Sequence, residues 1–379
     1  MKPPPTEGPD TLPPLYATWM REALQGPIPH ETEATCNDCV MLAKGGCEAP
    51  QGSGFFFDPH TKCCTYIPEL PNFLVGRILA DRDAASARGR ATLEKRLVEG
   101  VAVTPLGIGR SPTFRLVYQH SADLAAFGRN RALRCPHYLE EEGGQCGIWR
   151  HRRSTCATWF CKHVRGAVGA SFWRAMHELL SAAEEGLTRW CVLELDIGPG
   201  ALRRLFRPAG GDPMAPGRPI EEGGVDGVAD PAIYRELWGS WAGRERDFYA
   251  ECARRMNALA WKDVAAICGS EVKTREALAR QAYSRLISEE PPPALEVGPV
   301  KIVRMGGENC RVSSYSAIDL LDIPKPLLDV LHHFDGRPTE EAVRAIAEEE
   351  GIDLDEALVR KLADFRILVP SAPPVTTSS

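Results

Sequence analysis

Nowhere in its 379 residues does the chain run to about 18 consecutive apolar residues, so no membrane-spanning helix and no membrane partner are expected. The opening MKPPPTEGPDTLPPLY holds no apolar stretch of the secretory kind, and a cytoplasmic location is the expectation. An excess of positive charge is also missing. Lys+Arg total 45 against 51 Asp+Glu, a formal net charge of -6, which excludes a purely electrostatic grip on nucleic acid. There is no phosphate-cradling glycine loop with its Lys, no HExxH and no Ser/His/Asp arrangement. Gly107-x-Gly109 is a lone GxG and carries little. What remains is ordinary globular material, 44% apolar and 25% charged, enough for two or three domains. The exception is cysteine. Thirteen thiols in a chain without an export signal point to metal ligation or redox chemistry rather than disulfides.

Proline and glycine punctuate the chain. Residues 1–30 read as a flexible Pro-rich arm and 371–379 as a frayed tail. The run EEPPPALEVGP, 289–299, reads as a linker because consecutive prolines resist both helix and sheet. It separates a region 31–288 from a module 300–370. A long loop is expected over 207–231. Helices are expected at 71–80, at 170–186 with Phe172, Trp173, Met176, Leu179 and Leu180 on one stripe, from Asp230-Pro231 to about Trp261, and from Thr274 to about Ile287. Strands are expected at 113–119, where Phe114, Leu116 and Tyr118 alternate, and at 189–197, apolar on both phases. The fold class is therefore α+β, mainly helical: a loop-rich cysteine-cluster metal domain followed by a small winged-helix domain.

Nine cysteines fall into two groups. The first is Cys36, Cys39, Cys47 and the adjacent pair Cys63-Cys64. The second is Cys135, Cys146, Cys156 and Cys161. A CxxC turn brings two sulfurs to one side, as tetrahedral zinc or an iron–sulfur cluster requires. Adjacent cysteines diverge, so Cys63 and Cys64 can serve different centres. Cys191, Cys252, Cys268 and Cys310 lie singly in apolar segments and read as buried hydrophobes. Residues 150–165 hold five Arg/Lys and no acid. Cations such as Arg152 lower thiolate pKa and offset the charge of a thiolate-ligated cluster. Trp149, Trp159 and Phe160 would shield it from water. A nucleic-acid stacking platform is the competing reading of the same residues. His60, His137, His151 and His163 are read as hydrogen-bonding or packing groups before ligands. Glu140-Glu141-Glu142 reads as a solvated turn.

The run CPHYLEEEGGQCGIWRHRRSTCATWFC resembles the second half of the YkgJ-type zinc- or iron-chelating cysteine-cluster family. Cys135, Tyr138-Leu139, Gly143-Gly144, Cys146, Ile148, Arg152, Cys156 and Cys161 match its pattern in order. Cys36-x2-Cys39 and Cys63-Cys64 resemble its opening elements. Arg153 departs from it, standing where the family has proline. So do the 23 residues between Cys39 and Cys63, with Cys47 inserted. The resemblance spans about 36–161. It implies metal or iron–sulfur binding by Cys36, Cys39, Cys63, Cys64, Cys135, Cys146, Cys156 and Cys161, with Cys47 a possible ninth ligand and Arg152 and Trp159 beside the cofactor. The expected cofactor is an iron–sulfur cluster of the 4Fe-4S kind, with zinc the alternative. A related cysteine pattern occurs in flagellin lysine methylases, so an iron–sulfur oxidoreductase or a methylase-like protein-modifying enzyme is in view. A non-catalytic zinc-stapled binding protein and a metal chaperone or sensor are the alternatives.

In the C-terminal module, 300–303 and 310–315 suggest a hairpin. Helices are expected over 326–334, from Thr339, and from an Asp353-x-x-Glu356 capping box, with 367–369 closing the wing. This order, and FDGRPTEEAVRAI in particular, resembles the PqqD-like domains of ribosomal-peptide maturation. That resemblance implies a peptide or protein substrate taken as an added strand. The second and third helices are acidic and would repel phosphates, so DNA reading is not expected.

Overall fold

The computed structural model describes residues 12–31, 39–42, 56–121, 126–206 and 230–371. Cys36, Cys47, nearly all of the 207–231 loop and nearly all of the 371–379 tail lie outside them. The fold is α+β and mainly helical, its strands short and antiparallel. Two compact units are present. One contains the described parts of Met1–His30, Thr35–Trp159 and His177–Glu276; the other those of Glu31–Ala34, Phe160–Met176 and Ala277–Ser379.

The first unit begins with helix α1 (Pro14–Leu24), inside the segment expected to be an arm. Pro14 supplies the fixed φ of a first helical turn, and Tyr16, Trp19, Met20 and Ala23 bury one stripe. Strand β1 (Leu70–Pro71) leads into α2 (Asn72–Ala80), and α3 (Ala87–Glu99) follows. Strands β2 (Val103–Thr104) and β3 (Gly107–Ile108) complete a sheet of order β1-β3-β2. Helix α4 (Pro112–His120) stands where a strand was expected. The local chemistry explains the difference. Ser111 accepts a hydrogen bond from the Phe114 N–H and Pro112 opens the helix, two start signals that outweigh the alternation of Phe114, Leu116 and Tyr118.

Strands β4 (Tyr138–Leu139) and β5 (Gln145–Cys146) form a hairpin ahead of the short helix α5 (Ser154–Thr158). Helix α6 (Gly166–Glu194) absorbs the second expected strand. It runs through Gly186 because that residue is a close-packing position: a Cβ there would lie 2.6 Å from the Cys268 sulfur. Helices α7 (Pro199–Leu205), α8 (Pro231–Trp238), α9 (Glu245–Asn257), α10 (Trp261–Cys268) and α11 (Ser270–Ile287) follow. The single helix expected over 230–261 is thus broken, at Gly239 and Gly243, both with positive φ.

The second unit contains strands β6 (Ala294–Val297), β7 (Lys301–Gly306), β8 (Asn309–Ser313) and β9 (Leu321–Pro324). Helix α12 (Lys325–Asp329), strand β10 (Asp335–Pro338), helices α13 (Thr339–Glu350) and α14 (Glu356–Asp364), and strand β11 (Leu368–Pro370) complete it. The sheets run β7-β8-β9 and β10-β6-β11. The expected hairpin is present as β7-β8. The strand expected to close a wing, β11, pairs instead with β6, Leu368 opposite Val297. β6 lies within the 289–299 run. The Thr339 N–H and hydroxyl donate to the Pro293 and Pro292 carbonyls at 2.8 and 2.7 Å, so this run is built into the unit. Asp355, not Asp353, caps α14 by accepting from the Leu358 N–H. No helix of the described residues is long and apolar enough to cross a membrane.

Candidate metal centre

Five of the expected ligands, Cys63, Cys64, Cys135, Cys146 and Cys156, line one cavity of about 470 Å³ in the first unit. Local structure brings them there. A turn after Asp58 presents Cys63 and Cys64: the Lys62 and Thr61 N–H groups both donate to the Asp58 carbonyl, and Cys64 donates to that of Thr61. The Cys135 N–H donates to the Cys64 carbonyl at 2.8 Å and joins the two cysteine groups through the backbone. Gly143 and Gly144, both at φ +75°, make the tight turn that sets Cys146 opposite Tyr138. A Cβ on Gly144 would sit 2.1 Å from the Tyr138 hydroxyl oxygen. The Lys62 ammonium donates to the Gly143 and Gly144 carbonyls at 2.8 and 2.7 Å and fixes the turn from outside.

Helix α5 carries Cys156, and a buried carboxylate holds its start. Glu184, 1% exposed, accepts from the Ser154 N–H at 2.7 Å, the Ser154 hydroxyl at 2.7 Å, Arg153 at 2.9 Å and the Tyr16 hydroxyl at 2.5 Å. Arg153 stands at φ -64°, ψ 158°, the backbone a proline would impose. Arg153 therefore takes the chain path a proline would and adds an ion pair to it. Sequence reasoning missed Glu184 and Tyr16. The one available signal was the helical spacing Trp173, Met176, Leu180, Glu184, Leu187, which places an acid on an apolar face.

The cavity's electrostatics suit anionic sulfur. Among the described residues no carboxylate lines it. Arg152 is 5% exposed and lies over the Trp149 ring at 3.2 Å. Its charge favours the thiolates of Cys63, Cys146 and Cys156. A hydrogen bond with Cys64, aided by Arg152 and Lys62, outweighs burial and brings the Cys63 thiol down to about 7, while Cys64 is pushed up. Burial, with Cys146 beside it, pushes Cys135 up to about 12. Cys156 is accessible through the cavity, yet enclosed enough that desolvation, with the neighbouring Cys146 and Cys135, raises it too. A cation would supply what these crowded sulfurs need to ionise together. Cys39 is half-buried and close enough to Cys63 for the two to oppose each other's ionisation.

Aromatic side chains wall the space. α4 contributes Tyr118, stacked on Phe114 at 5.6 Å, and Tyr66 meets Tyr118 edge-on. Trp159, 59% exposed, packs edge-on against Phe127. Both expected cofactor neighbours, Arg152 and Trp159, line the cavity. Cys161 does not; it falls in the second unit. Much of the basic 150–165 run is paired: Arg150 with Asp83 at 2.6 Å, Arg153 with Glu184 and, in the second unit, Arg165 with Asp364. The four histidines hydrogen-bond as read. His137 meets the Thr92 hydroxyl at 2.8 Å, His151 meets Asp81 at 2.8 Å, His60 meets Glu140, and His163 meets the Tyr315 hydroxyl at 3.4 Å. Cys191, Cys252 and Cys310 are buried, and Cys268 is half-buried against the Ala183 carbonyl.

No protein-family model, curated protein or solved structure matches the chain.

Proposed function

We propose that the chain binds an iron–sulfur cluster of the 4Fe-4S kind in the cysteine cavity and acts, as an enzyme or enzyme component, on a peptide or protein recruited by residues 300–370. The convergence of five thiols and a buried arginine on one cavity carries the reading. Cys63, Cys64, Cys135, Cys146 and Cys156, with Cys39 within electrostatic reach of Cys63, would supply the ligands. Arg152 would offset their charge, and Trp149 and Trp159 would keep water from the mouth. The Arg153–Glu184 pair holds α5 so that Cys156 keeps its aim. When bound, such a cluster supplies electrons or an open iron site.

Size favours the cluster over zinc. Four sulfurs on one tetrahedral zinc lie about 3.8 Å apart, from Zn–S bonds of about 2.3 Å. Among the described residues no three cysteine sulfurs come within 4.8 Å of one another. The thiols thus surround a space wider than a single ion, within the volume range of cofactor and small-molecule sites. Recruitment of a peptide is supported by β7, an edge strand whose Ile302, Val303 and Met305 are all exposed. An unpaired edge with apolar side chains is a template for an added strand.

Anaerobic purification followed by iron, sulfide and zinc analysis and electron paramagnetic resonance tests the reading. A brown protein with stoichiometric iron and sulfide is expected. A colourless protein with stoichiometric zinc would replace the cluster by a structural staple.

A further inference from the structure

We propose that His332, His333 and Glu350 form a second metal site, in the C-terminal module, that takes a divalent transition ion such as zinc. The two histidines close the short turn Leu331–His333, and Glu350 is the last residue of α13. One donor atom from each of the three lies within 4.8 Å of the others, the one such trio among the described residues.

His333 carries the argument. It is 7% exposed, and its Nε2 is enclosed without a hydrogen-bond partner. A buried ring nitrogen left unmatched is costly and unusual. The Glu350 Oε1 lies 3.6 Å away, too far for a hydrogen bond. Two donors on one tetrahedral ion, with bonds of about 2.1 Å, stand about 3.4 Å apart. The gap therefore suits an ion between the two atoms better than a proton.

His332 is prepared in the same sense. Its ring lies 4.3 Å from that of His333, and its Nδ1 is 2.8 Å from the Asp329 carbonyl. A carbonyl can only accept, so Nδ1 bears the proton and Nε2 keeps its lone pair. This is the outer partnership that metal-binding imidazoles use. The carboxylate end of the site draws no cation from its own helix. α13 finishes in Glu348-Glu349-Glu350 with no basic residue in its last turn, where the helix dipole disfavours anions. A cation here would offset both.

Two imidazoles and one carboxylate select zinc and its neighbours over magnesium or calcium. Three protein donors leave a position open for water or a further ligand. The site is independent of the cysteine cavity in residues and chemistry, so the two readings can fail separately.

The test is zinc titration of the full-length protein, isotope-labelled at histidine, read from the imidazole signals by NMR. Once the thiols are saturated, the signals of His332 and His333 should move together. His332→Ala should abolish the movement at His333, and Glu350→Gln should weaken it about tenfold or more. Both positions are exposed, so the fold should persist. Signals that stay fixed in the wild type, or move equally in both variants, would overturn the site.

Discussion

The cysteine region and the C-terminal module solve the problem of stability differently. The module buries a continuous apolar core in which Leu295, Phe334, Ile346, Val359, Leu362, Ile367 and others are nearly inaccessible, sixteen residues in all. The apolar cluster beside the cysteine cavity has four, Ile67, Phe114, Leu133 and Cys135. Its loops are held by backbone-to-backbone links, by Lys62 on the glycine turn and by Glu184. A core of the first kind needs nothing added. A polar frame around crowded thiols would, on the proposed reading, gain its stability when a metal neutralises them.

The sharpest way to break this contrast is to remove the sulfurs. Cys135→Ser combined with Cys156→Ser should abolish stoichiometric iron and sulfide and lower the melting transition of the first unit, leaving that of the second in place. Metal analysis and calorimetry would read both. Next come two substitutions of similar size and opposite address. Glu184→Ala strands Arg153 and should cost about 3–5 kcal/mol in denaturant unfolding, with loss of metal. Phe334→Ala opens the C-terminal core and should cost about 3–5 kcal/mol with iron content unchanged. If Phe334→Ala empties the cysteine site, the two regions are not separable in the way drawn here. A smaller effect is expected of Gly144→Ala. It places a side chain at positive φ against Tyr138 and should cost about 1–3 kcal/mol and weaken metal retention. The smallest is Cys161→Ser, which should leave metal content at the wild-type value; loss of metal in this variant would return Cys161 to the ligand set.

The contrast also explains what could be read in advance. The spacing of Cys135, Cys146 and Cys156, with the glycine pair between the first two, was legible because each device is local. The hairpin at 301–313 and the apolar faces of α13 and α14 were legible for the same reason. Helix α4 was misread because Phe114, Leu116 and Tyr118 alternate like a strand, although Leu116 is 37% exposed and Ser111-Pro112 had already announced a helix. The helix expected at 170–186 runs on into 189–197, as far as Glu194, because Gly186 answers to a neighbour 82 positions away in the chain, which no local pattern shows. The Glu184 assembly joins residues 16, 153 and 154 across the sequence, and no short-range pattern encodes it.

The bond between Tyr16 and Glu184 reaches further than its length suggests. A truncated form beginning after residue 30, trimmed in the belief that the leading segment is dispensable, would strip the carboxylate of one donor and uncover the surfaces that Trp19 and Met20 occupy. Such a shortened protein should express poorly or arrive depleted of metal, with every cysteine intact.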